Sequence, residues 1–88
     1  MTQEILTAVM IHGMKHEDLV SYANSNFKKI YFQMNTSGSP SCWTEYPEYE
    51  VENTPEAFME CVQEINNKWD ECDNHPGWNF DAHISLVY

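Results

Sequence analysis

The sequence contains no arginine, and its four strongly basic side chains are Lys15, Lys28, Lys29 and Lys68. Arginine is the residue best suited to bidentate contact with phosphate, and four lysines do not offset fourteen acidic residues. The net charge of −10 therefore argues against direct binding to nucleic acid or to an anionic membrane surface. A basic partner protein is favoured by this charge, and solubility alone is the other explanation.

Long apolar runs, a recognisable signal peptide and an even set of cysteines are also lacking. No segment approaches the roughly 20 apolar residues that a membrane-spanning helix requires. The N-terminus carries Glu4 in an apolar-leaning run of only about eight residues, which is not typical of a signal peptide. Cys42, Cys61 and Cys72 form an odd set, so we expect reduced thiols and a cytoplasmic protein.

The chain nevertheless has enough apolar material for one folded domain. Hydrophobic residues make up 42% of its 88 residues and aromatic residues 14%, which is too rich for a disordered acidic tail. A chain of this length can bury a core without metals or disulfides. We therefore expect a single acidic domain over residues 1–88.

Hydrophobic patterns predict six elements. The apolar run 5–11 predicts a strand buried on both faces, and the spacing in 16–27 predicts an amphipathic helix. Residues 28–35, 43–51 and 78–88 alternate as strands do, the last with Trp78 facing inward. Asn53 or Thr54 is expected to begin a second helix, whose apolar residues recur every three or four positions at Phe58, Val62, Ile65, Trp69 and Cys72.

The resulting β-α-β-β-α-β order predicts an α+β domain. Two helices would cover one face of a four-stranded, mostly antiparallel sheet and leave the other face partly open. A ferredoxin-like arrangement is the first expectation. Pro47 fits it poorly, because that arrangement places the third strand in the middle of the sheet, and proline belongs at an edge or a bulge.

The acidic residues are concentrated in the second half of the chain, where residues 45–88 carry eleven acids against Lys68. On the second helix, Glu56, Glu60 and Glu64 recur every four residues, about 6 Å apart along the axis. Like charges at this spacing destabilise a helix. On the preceding strand, alternate glutamates share one side at intervals of about 6.6 Å. Both intervals are similar to the spacing of phosphates along a nucleic-acid strand.

Tyr46 and Tyr49 are interleaved with these glutamates, and tyrosine supplies rigid contact area that can stack on arginine. This combination of acids and tyrosines is expected on a surface that binds a lysine- and arginine-rich groove. The alternative explanation is a solvated polar surface. The predicted partner-binding set is Glu45, Tyr46, Glu48, Tyr49, Glu50, Glu52, Glu56, Glu60, Glu64, Asp70, Glu71 and Asp73.

In its size, its acidity and its lack of catalytic motifs, the chain resembles the small nucleic-acid-mimicking inhibitors that phages make against restriction, CRISPR and repair enzymes. The resemblance implies a non-catalytic protein without metal or cofactor. Such a protein would occupy a basic surface that otherwise holds DNA or RNA, in the host cytoplasm if the chain is phage-encoded.

Two other classes stay open. One is a small ferredoxin-like regulatory or ligand-binding domain that forms a homodimer through its open sheet face, with Tyr31, Gln33, Asp81 and His83 at the interface. The other is a small enzyme that uses Cys42 or His83. A metal site built from Cys61, Cys72 and His75 is less favoured. Only Cys72 and His75 have the close spacing of zinc ligands, and Cys72 lies on the apolar stripe of the second helix.

Overall fold

A computed structural model describes residues 2–37, 46–75 and 77–88. Within these ranges, four antiparallel strands form one sheet and three helices share a core with one of its faces. In chain order the elements are β1 (Gln3–Thr7), α1 (Ala8–Gly13), α2 (His16–Ala23), β2 (Lys29–Ser37), β3 (Tyr49–Val51), α3 (Pro55–Asp73) and β4 (Asn79–Val87).

The sheet is built on the pairing of β2 with β4, its two longest strands. They run antiparallel from the pair Lys29–Val87 to the pair Ser37–Asn79. On the inner face this register sets Ile30 against Leu86 and Phe32 against Ile84. These four side chains are at most 1% exposed. The alternation predicted for both strands is confirmed.

The strand order is β1-β4-β2-β3, so β3 is an edge strand and β2 and β4 are central. The predicted α+β class and the antiparallel sheet are confirmed. The element order matches the ferredoxin-like expectation except that two helices, α1 and α2, stand between β1 and β2. The third strand lies at the edge, as Pro47 indicated.

Helix α3 begins where its sequence signals predicted. The Thr54 side chain accepts a hydrogen bond from the Ala57 backbone N–H at 3.1 Å, and Pro55 occupies the first turn. Of the two predicted capping residues, Thr54 is therefore the one that caps the helix. The apolar stripe of α3 faces the sheet, and its fully buried part consists of Phe58, Cys61, Val62 and Ile65.

The N-terminal apolar run 5–11 does not form one buried strand, and that prediction is wrong. Strand β1 ends at Thr7, whose hydroxyl accepts a hydrogen bond from the Met10 backbone N–H and begins the short helix α1. Ile5 is 52% exposed because it lies on the opposite face of β1 from the buried Leu6. Val9 and Met10 are 69% and 45% exposed because α1 buries only Ala8 and Ile11. The sheet therefore carries three helices rather than two.

Three smaller predictions are also corrected. Helix α2 ends at Ala23 rather than at residue 27. The third strand covers Tyr49–Val51, and residues 43–45 of its predicted range lie outside the described residues. Trp78, which was predicted to face inward, precedes β4 and is partly exposed, with its ring stacked on His75. In the described ranges, no helix has the length and apolar character needed to cross a bilayer.

Because the thiol of Cys61 is buried, the free energy of unfolding decreases at alkaline pH. Burial, with a smaller contribution from Glu64 and then Glu60, raises its pKa from 9.0 to about 11. The unfolded chain therefore loses this proton at lower pH than the folded chain. The stabilisation is complete below pH 9 and is lost as pH rises towards 11, by on the order of 2 kcal/mol.

We predict that urea unfolding at pH 7, 9 and 10.5 will show this loss for the natural sequence, and a shallower loss for Cys61→Ala. At pH 7 the alanine variant will be less stable by about 1 kcal/mol, because a small core side chain is shortened. This difference will shrink and then reverse as the pH rises to 10.5, because the variant has no thiol to ionise. Parallel pH profiles for the two proteins would contradict the assignment to Cys61.

Candidate functional site

An open groove lies along the β3 edge of the sheet, between the strand and helix α3. Its volume is about 430 Å³, and Phe32 and Met34 of β2 line it from the core side. Tyr46, Pro47, Tyr49 and Glu64 complete the lining. The structure therefore brings two tyrosines and one helix glutamate of the predicted set around one concave surface.

Polar side chains from the outer face of β2 hold the segment that precedes β3. Asn35 Oδ1 accepts a hydrogen bond from the Tyr46 backbone N–H at 2.6 Å, and the Gln33 side-chain amide donates to the Tyr46 carbonyl. Asn35 is 1% exposed, so its amide serves as a buried anchor. The backbone of Tyr46 is thereby fixed on both sides.

Glu48 lies over the outer face of the sheet rather than beside α3. Its Oε2 is 2.6 Å from His83 Nε2, on β4. Because β2 lies between β3 and β4, the two side chains meet above β2. The imidazole of His83 thus links β4 to the segment before β3. Strand alternation assigns each side chain to a face of the sheet but does not identify its partner. The bond from Asn35 to Tyr46 and the link from His83 to Glu48 could therefore not be predicted from it.

Tyr49 forms the wall of the groove on the strand itself. Its ring meets Phe32 edge-on, with the centroids 5.8 Å apart, yet the residue is still 54% exposed. Partial desolvation, and then the charge of Glu64, raise the pKa of the Tyr49 hydroxyl. The phenol therefore stays protonated and can donate a hydrogen bond while its ring offers apolar contact.

The predicted acids divide between two sides of the β3 edge. Glu50 pairs with Tyr31 in the sheet register and shares the outer face with Glu48, opposite to Phe32 and Tyr49. Glu64 lies on the helix-bearing side, together with Glu56 and Glu60 of the same helical stripe. The strand and helix acids therefore meet around an edge and do not share one flat surface.

These carboxylates have few internal partners. In the described part of the chain the ion pairs are Lys68–Glu71, at 3.0 Å, and Glu48–His83. The described members of the predicted set are all exposed. Their charge is therefore available to an external partner. Glu45, together with the alternative nucleophile Cys42, lies outside the described residues.

A second acidic group, Asp70, Glu71 and Asp73, occupies the last turn of α3. Asp73 is nine residues beyond Glu64, roughly 14 Å along the helix axis. No basic residue shares this turn. Acids at a helix C-terminus face the negative end of the dipole, so their placement opposes helix stability.

Among residues 2–37, 46–75 and 77–88, no three histidine, cysteine, aspartate or glutamate side chains are arranged to hold an ion. Cys61 packs in the core, and burial raises the pKa of the partly buried Cys72 thiol as well. Both thiols are thus kept protonated at neutral pH.

No protein-family model, curated protein or solved structure gives a significant match to this chain. Its function therefore has to be inferred from its own side chains and their placement.

The two ends of α3 should respond oppositely to the loss of one negative charge. We predict that Glu56→Gln, in the first turn, lowers the free energy of unfolding by about 0.5 kcal/mol, because a favourable interaction with the helix dipole is lost. Asp73→Asn, in the last turn, should raise it by about 0.5 kcal/mol. Urea unfolding at low ionic strength measures both, and shifts of the same sign would contradict this assignment.

Proposed function

We propose that this chain is a non-catalytic acidic protein that occupies a basic, nucleic-acid-binding surface of a partner protein. It would act in the cytoplasm as a nucleic-acid mimic, of the kind that phages use against host defences such as CRISPR or restriction enzymes. The observation that carries the proposal is the β3 edge, where Tyr46, Tyr49 and Glu64 line one groove. Within the described ranges, Glu50 on one side and Glu64 on the other form no ion pair, whereas Glu48 is paired with His83.

Three physical effects support binding at this edge. Tyr46 and Tyr49 are 60% and 54% exposed, so their rings are available to stack on arginine or to fill a contact pocket. The surrounding acids would steer a basic partner over long range and raise the association rate. Tyr46 is held by Asn35 and Gln33, so its backbone loses little freedom on binding.

A homodimeric regulatory domain remains the alternative, and the outer face gives it less support. Of the four residues expected at its interface, Gln33 is bonded to Tyr46 and His83 to Glu48. Asp81 is exposed and Tyr31 is partly buried. A dimer through this face would have to form over the segment around Tyr46–Glu48.

The proposal can be tested by capture and competition. The tagged protein is incubated with a nuclease-treated bacterial lysate, washed, and eluted with a salt gradient; the captured protein is then offered duplex DNA or RNA. We predict release at moderate salt, because exposed charges are screened. We also predict that the captured protein binds either this chain or the nucleic acid, but not both together.

Charge-matched variants identify the surface. Glu60→Lys with Glu64→Lys changes the net charge from −10 to −6, and so does Glu17→Lys with Asp18→Lys on α2. We predict that the α3 pair weakens binding to the captured partner at least about tenfold, roughly 1.4 kcal/mol. The α2 pair should weaken it only a few-fold. Equal losses would show that total charge, rather than the β3 edge, determines binding.

A further inference from the structure

A second groove, lined mostly by aromatic rings, lies at the C-terminal end of α3. Its volume is about 250 Å³, and Trp69, Cys72, Asp73, Trp78 and Phe80 line it. Trp69 and Phe80 pack against the core, whereas Trp78 stands outside it and is 36% exposed. Of these five residues, only Asp73 belongs to the surface inferred from the acidic pattern.

Local contacts hold the aromatic rings in place. His12 of α1 stacks on Trp69 with the ring centroids 4.4 Å apart, and Phe80 meets Trp69 edge-on at 6.3 Å. His75 stacks on Trp78 at 4.2 Å. Gly77 precedes Trp78 with φ of +94°, a conformation that glycine adopts without strain, and this turn brings Trp78 back to the end of α3.

Three features of this groove attract a positive charge. The faces of tryptophan rings bind cations through their quadrupole, more strongly than other side chains do. Asp73 is the acidic residue of the lining, and Asp70 lies in the same turn. The C-terminal end of α3 adds the negative end of the helix dipole, which no basic residue of that turn offsets.

The size of the groove fits one side chain better than a whole small molecule. Its volume lies below the roughly 300 Å³ at which small-molecule sites begin. A planar guanidinium can stack on an indole and at the same time donate two hydrogen bonds to a carboxylate. A lysine ammonium is a point charge and cannot combine these two contacts.

We propose that this groove binds an arginine side chain of the basic partner. The guanidinium would stack on the face of Trp78 or Trp69 that His75 or His12 does not cover, and would bond to Asp73. The inference rests on the proposed function for the identity of the partner. It adds a second pocket, about 14 Å along α3 from Glu64, to the tyrosines and exposed acids of the proposed binding surface.

The groove can be tested without knowing the partner. A blocked Gly-Arg-Gly peptide is titrated into the ¹⁵N-labelled protein, and the indole N–H signals of Trp69 and Trp78 are followed. The expected result is a saturable shift of these signals at millimolar peptide. The same peptide with citrulline, which is neutral and similar in shape, should leave them in place.

Matched variants separate a site from general attraction. Asp73→Asn and Asp70→Asn remove the same charge from the same turn, but only Asp73 lines the groove. We expect Asp73→Asn to weaken peptide binding several-fold more than Asp70→Asn, and Trp78→Ala to abolish the saturable shift while far-ultraviolet circular dichroism is retained. Equal effects of the two aspartate changes would overturn the site, and equal binding of a Gly-Lys-Gly peptide would overturn its assignment to arginine.

Measuring how tightly the same variants of this chain bind the captured partner completes the test. Tighter binding by the natural sequence than by Asp73→Asn or Trp78→Ala, with Asp70→Asn close to the natural sequence, supports docking of a partner arginine. Peptide shifts with no change in partner binding would overturn that assignment. The two proposals fail in different ways. If no captured protein competes with nucleic acid, the proposed function fails even where the peptide shifts appear. If the peptide shifts are absent, the arginine site fails, although salt-sensitive capture can still succeed.

Discussion

The antiparallel pairing of β2 with β4 is the constraint on which the rest of the molecule depends. Side chains alternate along a strand, so a slip of one residue would turn Phe32 and Ile84 to solvent and bury their polar neighbours. The same register places Asn35, Gln33 and His83 on the outer face, where they hold Tyr46 and Glu48. The hydrophobic core and the presentation of the acidic edge therefore follow from a single pairing.

The concentration of charge is tolerated because it stays outside that core. The buried apolar cluster draws on all three helices and on β1, β2 and β4, whereas the acids of residues 48–73 are exposed. Repulsion along α3 and at its C-terminus opposes folding, and Thr54 and Glu56 at the other end offset part of it. An arrangement that opposes helix stability at Asp73 is more easily explained by an external cation than by the fold.

Periodic segments could be predicted from the sequence, and segments without a period could not. The alternation in β2 and β4, and the spacing of Phe58, Val62 and Ile65 in α3, each identify one buried face. The run 5–11 is apolar throughout, so its pattern cannot show that the chain turns into a helix after Thr7. The acids and tyrosines were identifiable from composition, but their division around β3 depends on strand order. The aromatic groove forms because a turn brings Trp78, just before β4, close to the end of α3. No local sequence pattern predicts that contact.

The division of acids around β3 restricts the shape of the proposed partner. Glu50 and Glu48 face one side of the sheet and Glu64 the other, with Tyr49 on the strand between them. A flat basic surface could contact only one of these sides at a time. A basic cleft could receive the whole edge, with its two walls against the two groups of glutamates and the tyrosines directed inward. Since clefts of this kind are how many proteins hold a nucleic-acid strand, the edge geometry favours a competitor for such a cleft over a ligand of an open basic patch.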